Sequence, residues 1–293
     1  MPSNNMEQMN SEESTKNRNQ QPFMIIKAIA FIIIFISSII VINNQIVDVE
    51  ETEDTEEPVW SDNCNVQGIE LLGDLVTYNQ VTGETSEEYA LDQTASQDIV
   101  YYIEQAEQNE DIKAIILEID SLGGYPVAGE EVTRALKLAT KPTVALIRGA
   151  GDSAAYMAAT GADRIFASKF SDVGGIGVTM SYLETAKQNE KDGIVYQSLT
   201  SGKFKDAGDP DKTLSAEERA LLMRDINLLH DDFVELVATN RSLDVEKVKD
   251  LADGSTMLGE MALENGLIDE IGGYPEVKEY LKQQINEDIE VCW

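Results

Sequence analysis

The sequence predicts an α/β fold built on a mostly parallel sheet, preceded by an N-terminal transmembrane helix. Three observations predict it. From Val66 onward, short β-branched apolar runs alternate with stretches of helical spacing, the rhythm of crossover units stacked on one sheet. The run Ile112–Ile119 (IKAIILEI) is apolar almost throughout, as a parallel strand covered on both faces must be. Phe23–Ile42 (FMIIKAIAFIIIFISSIIVI) is 20 residues of nearly unbroken apolar chain, the length a helix needs to cross the hydrocarbon core.

Residues 1–22 are rich in Asn, Gln, Ser and Glu and read as a disordered tail. Residues 23–42 are the span; Lys27, in its first turns, can snorkel to the interface. No small-residue cleavage pattern follows, as a secretory leader would require. Lys16, Arg18 and Lys27 lie on the N-terminal side, and no Lys or Arg follows the span until Lys113. That bias places the tail inside the cell and the bulk of the chain at the external face of the membrane. Residues 43–65 contain the acidic run Asp48–Glu57 and read as a solvated linker. Residues 66–293 form the remaining domain.

Within it, Gln67–Val76 reads as a strand with bends at Gly68 and Gly73, and Ser96–Glu107 as a helix. Ile112–Ile119 is the next strand, ending in Asp120-Ser-Leu-Gly-Gly124. Helix Val127–Ala139, strand Pro142–Ile147, helix Ser153–Thr160 and strand Arg164–Ala167 continue the alternation. Ile194–Leu199 has strand character. Ser215-Ala-Glu-Glu carries the signature of a capped helix start with acids in its first turn. That helix is expected to run to about Asn240 with Leu222, Ile226, Leu229, Phe233, Leu236 and Val237 as its apolar stripe. His230, beside the stripe, is read as structural or surface.

The formal net charge is −32, from 54 acidic and 22 basic residues. Nucleic acid is excluded as a partner, because phosphate binding needs clustered Lys and Arg. Cys64 and Cys292 flank the domain without a CxxC partner, so no zinc site is indicated. No other metal or cofactor is called for. In an oxidising compartment the two cysteines are open to a disulfide or to two free thiols.

One chemistry stands out. Ser153 follows the strand at 142–147 through Gly149 and Gly151 and opens a small-residue helix, the setting of a nucleophile at a sharp strand-to-helix turn. A serine nucleophile ordinarily takes a histidine as base, and the chain has one histidine. Lys205, in Ser201-Gly-Lys-Phe-Lys205-Asp206 after the Ile194–Leu199 stretch, is the substitute, provided burial favours its neutral amine. Lys203 shares its neighbourhood. Ala154 and either Gly123 or Gly124 can supply N–H groups to a developing oxyanion.

These motifs, in this order, resemble the signal peptide peptidase A family, short single-domain form, of the Clp-protease/crotonase superfamily. Asp120-Ser-Leu-Gly-Gly124 resembles its Asn-Ser-Pro-Gly-Gly turn. Gly151-Asp-Ser153-Ala-Ala-Tyr156 resembles its Ala-Ser-Gly-Gly-Tyr turn, and Val173-Gly-Gly-Ile-Gly-Val178 its Gly-Ser-Ile-Gly-Val loop. Gly202-Lys-Phe-Lys205-Asp206 and the segment Gly259–Gly272 match two further motifs. The likeness spans about Val66 to Leu281.

The resemblance implies stacked ββα units and a membrane-anchored serine endopeptidase. It implies Ser153 as nucleophile, Lys205 as general base, and Gly124 and Ala154 as oxyanion donors, with Gly123, Gly175 and Ile176 contacting substrate. It further implies a ring-shaped homo-oligomer in which the dyad can form across subunits. Its substrates are remnant signal peptides and other unfolded or membrane-associated peptides. Four positions depart from the pattern: Ala154 and Ala155 replace glycines, Leu122 replaces proline, and Asp152 replaces alanine before the serine. The alternatives are a catalytically degenerate peptide-binding scaffold of the same fold and, more remotely, an acyl-coenzyme A enzyme, which an external location disfavours.

Overall fold

A computed structural model describes residues 64–79 and 93–293. The expected tail and membrane span, and almost all of the acidic linker, lie outside the described residues. Among the described residues no helix is long and apolar enough to cross a membrane.

The chain runs β1 (Val66–Val76), β2 (Gln93–Ala95), α1 (Ser96–Gln108), β3 (Ala114–Gly124), α2 (Pro126–Leu138), β4 (Thr143–Asp152), α3 (Ser153–Ala159) and β5 (Arg164–Ala167). Then come β6 (Asp172–Gly174), α4 (Ala186–Lys191), α5 (Ala216–Arg241), α6 (Val245–Leu251) and β7 (Thr256–Leu258). The chain closes with α7 (Gly259–Asn265), β8 (Glu270–Ile271), α8 (Tyr274–Ile285) and β9 (Val291–Cys292). The sheet has the order β2-β1-β3-β4-β5-β8, with β9 also on β1. All these pairings are parallel; β6 and β7 pair antiparallel.

The unbroken apolar run of β3 follows from burial on both faces. Ile115, Leu117 and Ile119 pack beneath α1, α2 and α3, whereas Ala114 and Ile116 pack with Val277 and Leu281 of α8. Alternate side chains of one strand therefore serve two cores. The expected bend at Gly73 is a register shift in β1, with Gly73 at φ +66°, a backbone state glycine adopts without penalty. Trp293 fills the space a side chain on Gly68 would need.

β3 and β4 extend past the apolar runs into the glycine turns. β4 achieves this by changing neighbours: Val144–Ile147 pair with β5, and Ala150–Asp152 pair with β6. The strand thus carries Ser153 past its pairing with β5, to the C-terminal end of β4 between β3 and β6. Behind it, α2 lies so close to α3 that a side chain on Gly129 would meet the carbonyl of Ala154 at 2.7 Å. Small residues in α3 are what that approach requires.

The Ile194–Leu199 stretch corrects the sequence reading. It forms no strand, and Val195 and Leu199 are 73% and 96% exposed. Local β character does not suffice without a neighbouring strand to accept its hydrogen bonds. The apolar stripe on α5 is also shorter than expected. Phe233 and Val237 are buried, but Leu229 is exposed. The start of α5 matches expectation: Ser215 accepts from the Glu218 N–H at 3.2 Å and the Glu218 carboxylate accepts from Ser215 N at 2.9 Å. Cys64 and Cys292 are joined in a disulfide, with Cα atoms 5.6 Å apart.

Candidate active site

Ser153 occupies the junction of β4 and α3 with φ +52°. A left-handed backbone costs a non-glycine residue roughly 1–2 kcal/mol, and here the strand pairing and helix packing on either side impose it. The Ser153 side chain makes no hydrogen bond among the described residues, and the residue is half-buried. It lines a cavity of about 600 Å³ together with Leu122, Asp152, Gly175, Gly177 and Thr256, among others.

Gly123 abuts this turn. It stands at φ +112°, and a Cβ there would lie 2.8 Å from the Ser153 Cβ and 3.1 Å from Ala154 N. The missing side chain opens the space beside the Ala154 N–H, as an oxyanion donor requires. The N–H of Gly123 itself is taken, donating to Ser121 Oγ at 3.1 Å. That leaves Gly124, next along β3, as the neighbouring backbone donor. Gly124 is pressed against β1: a Cβ on it would overlap the Leu75 carbonyl.

Gly175, at φ +56°, closes the other side; a Cβ there would stand 3.3 Å from Ser153 N. Ile176 is placed differently from its neighbours. Its side chain is buried in the core, and its carbonyl accepts from Gly254 N at 3.1 Å. It supports the cavity wall without lining it. Tyr156, wholly buried, donates to the Leu267 carbonyl at 2.8 Å and fixes α3 behind Ser153.

Asp152 is 7% exposed, and its Oδ1 is buried without a hydrogen-bond partner. Burial, followed by repulsion from Asp172, pushes its carboxyl up to about 6, since both effects disfavour the charged form.

Lys205 is exposed rather than buried. It lies in a turn, does not line the cavity, and its ammonium has no partner among the described residues. Lys203, by contrast, pairs with Glu217 at 2.8 Å. Asp206 accepts from Ser198 Oγ at 2.6 Å and pairs with Lys212 at 3.1 Å, so it is committed away from Lys205.

His230, read above as structural or surface, also borders this site. It lines the same cavity as Ser153. Its Nε2 lies 2.9 Å from the Ala252 carbonyl; a carbonyl only accepts, so Nε2 donates there, and Nδ1 lies 3.9 Å from the Asp231 carboxylate. The available signal was helical spacing. His230 shares a face with Val234 and Val237 at i+4 and i+7, and both of those are buried.

Comparison with known proteins gives this geometry a family. The model of peptidase family S49 matches residues 135–288, a stretch that contains Ser153, the 173–178 loop and Lys205. The chain belongs to peptidase family S49. One family relative is the protease-named protein MJ0651 of Methanocaldococcus jannaschii, 31% identical over 77% of this chain and 74% of its own length. Another, from Enterococcus faecium, is named for signal peptide peptidase SppA; it is 29% identical over 79% of this chain and 67% of its own. Protease 4 of Haemophilus influenzae is 27% identical over 71% of this chain but only 33% of its own length.

Proposed function

We propose that this S49 chain is a membrane-anchored serine endopeptidase with a Ser153–Lys205 dyad, cleaving remnant signal peptides and other unfolded or membrane-associated peptides outside the cytoplasm. The observation that carries it is Ser153: an unpartnered hydroxyl on a left-handed turn at a cavity, with the space vacated at Gly123 opening beside Ala154 N–H. In the reaction, Ser153 Oγ attacks the substrate carbonyl while Lys205 takes its proton. The oxyanion is held by the N–H groups of Gly124 and Ala154, and the lysine returns the proton to the leaving amine. Gly123 and Gly175 give the peptide backbone room to approach.

A lysine base must be desolvated, and Lys205 is exposed in one chain. A second copy resolves the conflict. The stretches on either side of α4, one of which bears Lys205, and the middle of α5 display Met180, Leu183, Val195, Leu199 and Leu228 to solvent, apolar surface of the kind an interface covers. The proposed ring-shaped homo-oligomer covers it and presents Lys205 to the Ser153 of a neighbour. The anchor at 23–42 and the Lys and Arg bias support the external location, as does the disulfide, which persists in oxidising compartments.

The exposed Lys205 also favours a second reading, a peptide-binding scaffold without turnover. A serine-directed fluorophosphonate separates the two. Labelling of the assembled wild type and loss of labelling in Ser153→Ala support the peptidase; a wild type that neither labels nor cleaves peptide leaves the scaffold.

A further inference from the structure

We propose that Asp152 is a positioning residue that acts as a neutral acid, so that the site works with Asp152 protonated and is inhibited when its carboxylate forms. The inference rests on the assignment of Ser153 as nucleophile. Asp152 is the residue immediately before Ser153 on β4, is more than nine-tenths buried, and faces the cavity with Oδ1 unsatisfied. A buried carboxylate without donors is unfavourable, whereas a carboxylic acid in the same place is tolerated.

The groups around Asp152 do not offset its charge. Asp172, on the paired strand β6, is a like charge that raises the Asp152 carboxyl further. Asp120, at the end of β3, has its Oδ1 occupied by the Ala150 N–H at 3.0 Å. Asp253, across the cavity, holds Ser255 through its N–H at 2.9 Å and its hydroxyl. Among the described residues lining the cavity, His230 is the one that can become cationic, and its Nε2 is held by Ala252. Arg148 on β4 is paired with Glu118 of β3. Among the described residues, therefore, no fixed cation stands ready to keep Asp152 ionised.

Two consequences follow for the reaction. A carboxylate beside the Ala154 N–H opposes the negative charge that develops on the substrate oxygen. It would also pair with a lysine entering the cavity and hold that lysine as ammonium, unable to take the serine proton. The neutral acid has neither effect. Activity in the wild type should therefore decline on the alkaline side through the ionisation of Asp152, on top of any rise due to the base.

The test is the ratio of kcat/KM for Asp152→Asn to that for wild type, measured on the assembled full chain with an unstructured fluorogenic peptide between pH 4.5 and 8. Asparagine keeps the shape and cannot ionise. Dividing the two profiles removes the pH dependence that the two proteins share and leaves the part that Asp152 imposes, directly or through the lysine. The ratio should stay nearly level below about pH 5, break upward near the Asp152 value of about 6, and reach on the order of a hundredfold at pH 8, two pKa units above it. Labelling rates with a fluorophosphonate should show the same climb. A flat ratio, or one that falls with pH, overturns the inference, the latter showing the carboxylate to be the working form. Ser153→Ala distinguishes the two levels. If that variant still cleaves, the nucleophile assignment fails and this inference falls with it. If Ser153 carries the activity and the ratio is flat, only the role of Asp152 is wrong. Thermal melting of Asp152→Asn at each pH excludes misfolding as the cause of a changed ratio.

Discussion

Gly123 and Ser153, 30 positions apart in the chain, meet so closely that a Cβ on the glycine would stand 2.8 Å from the Cβ of the serine. β3 and β4 bring the two turns together by running parallel, with Ser121 opposite Gly151. Gly123→Ala therefore meets a steric conflict and a φ of +112°, a backbone state that an L side chain rarely adopts. We expect it to lower stability by about 1–3 kcal/mol and fluorophosphonate labelling by at least roughly tenfold, since an activity loss of that size needs only a small displacement of the reacting groups. Chemical denaturation and labelling rates, measured on the same preparation, check both.

If Lys205 acts on the Ser153 of a neighbouring subunit, two inactive variants should repair one another. Ser153→Ala and Lys205→Ala should each lose peptide cleavage. Co-assembled in equal amounts, they should regain roughly a quarter of wild-type activity, because each site needs one intact partner from each variant across a head-to-tail interface. Mixtures that stay inactive although mass spectrometry shows mixed rings would place both residues in one chain.

The disulfide closes a loop of nearly the whole described chain, with a sequence separation of 228. It also fastens β9 to the start of β1. Cys292→Ser should reduce stability by about 2–5 kcal/mol, read from urea midpoints. Dithiothreitol should destabilise wild type by a similar amount and leave the variant unchanged. Equal sensitivity of both proteins to the reductant would contradict the bond.

Asp152 also links stability to pH. Its carboxyl holds a proton up to about pH 6 in the fold, against an ordinary value of 3.8. Between those limits the folded chain binds more protons than the unfolded one, so rising pH works against folding. The stability that the neutral form preserves is fully present below about pH 4 and is lost as pH climbs through 6. Asp152→Asn should accordingly gain on wild type by about 2 kcal/mol between pH 4 and 7. A stability difference that does not vary with pH would show that Asp152 titrates normally.

Much of this molecule is decided locally. The two-sided apolar run at Ile115–Ile119 names a buried strand, because only burial on both faces suits it. The cap at Ser215 names the start of α5, because the Ser and Glu side chains satisfy N–H groups that the helix leaves open. Ser153, between glycines and a small-residue helix, marks a strand-to-helix turn of the kind a candidate nucleophile occupies. The order of the glycine and lysine motifs pointed to the family that the match over 135–288 bears out.

Other features depend on which elements meet, and adjacent residues do not carry that information. The exchange of β5 for β6 along β4 extends the strand to Asp152. The same folding turns the Asp152 carboxyl into a buried, unsatisfied group. His230 joins the Ser153 cavity because α5 crosses it, although its own spacing resembles that of a core face. Ile194–Leu199 carries strand character without a strand to pair with, and Lys205 follows it into solvent. Sequence by itself determined the fold class, the turn at Ser153 and the lysine motif, since these follow from local patterning. Tertiary structure alone decided the disulfide, the burial of Asp152 and the exposure of Lys205, since each depends on how segments remote in the chain meet.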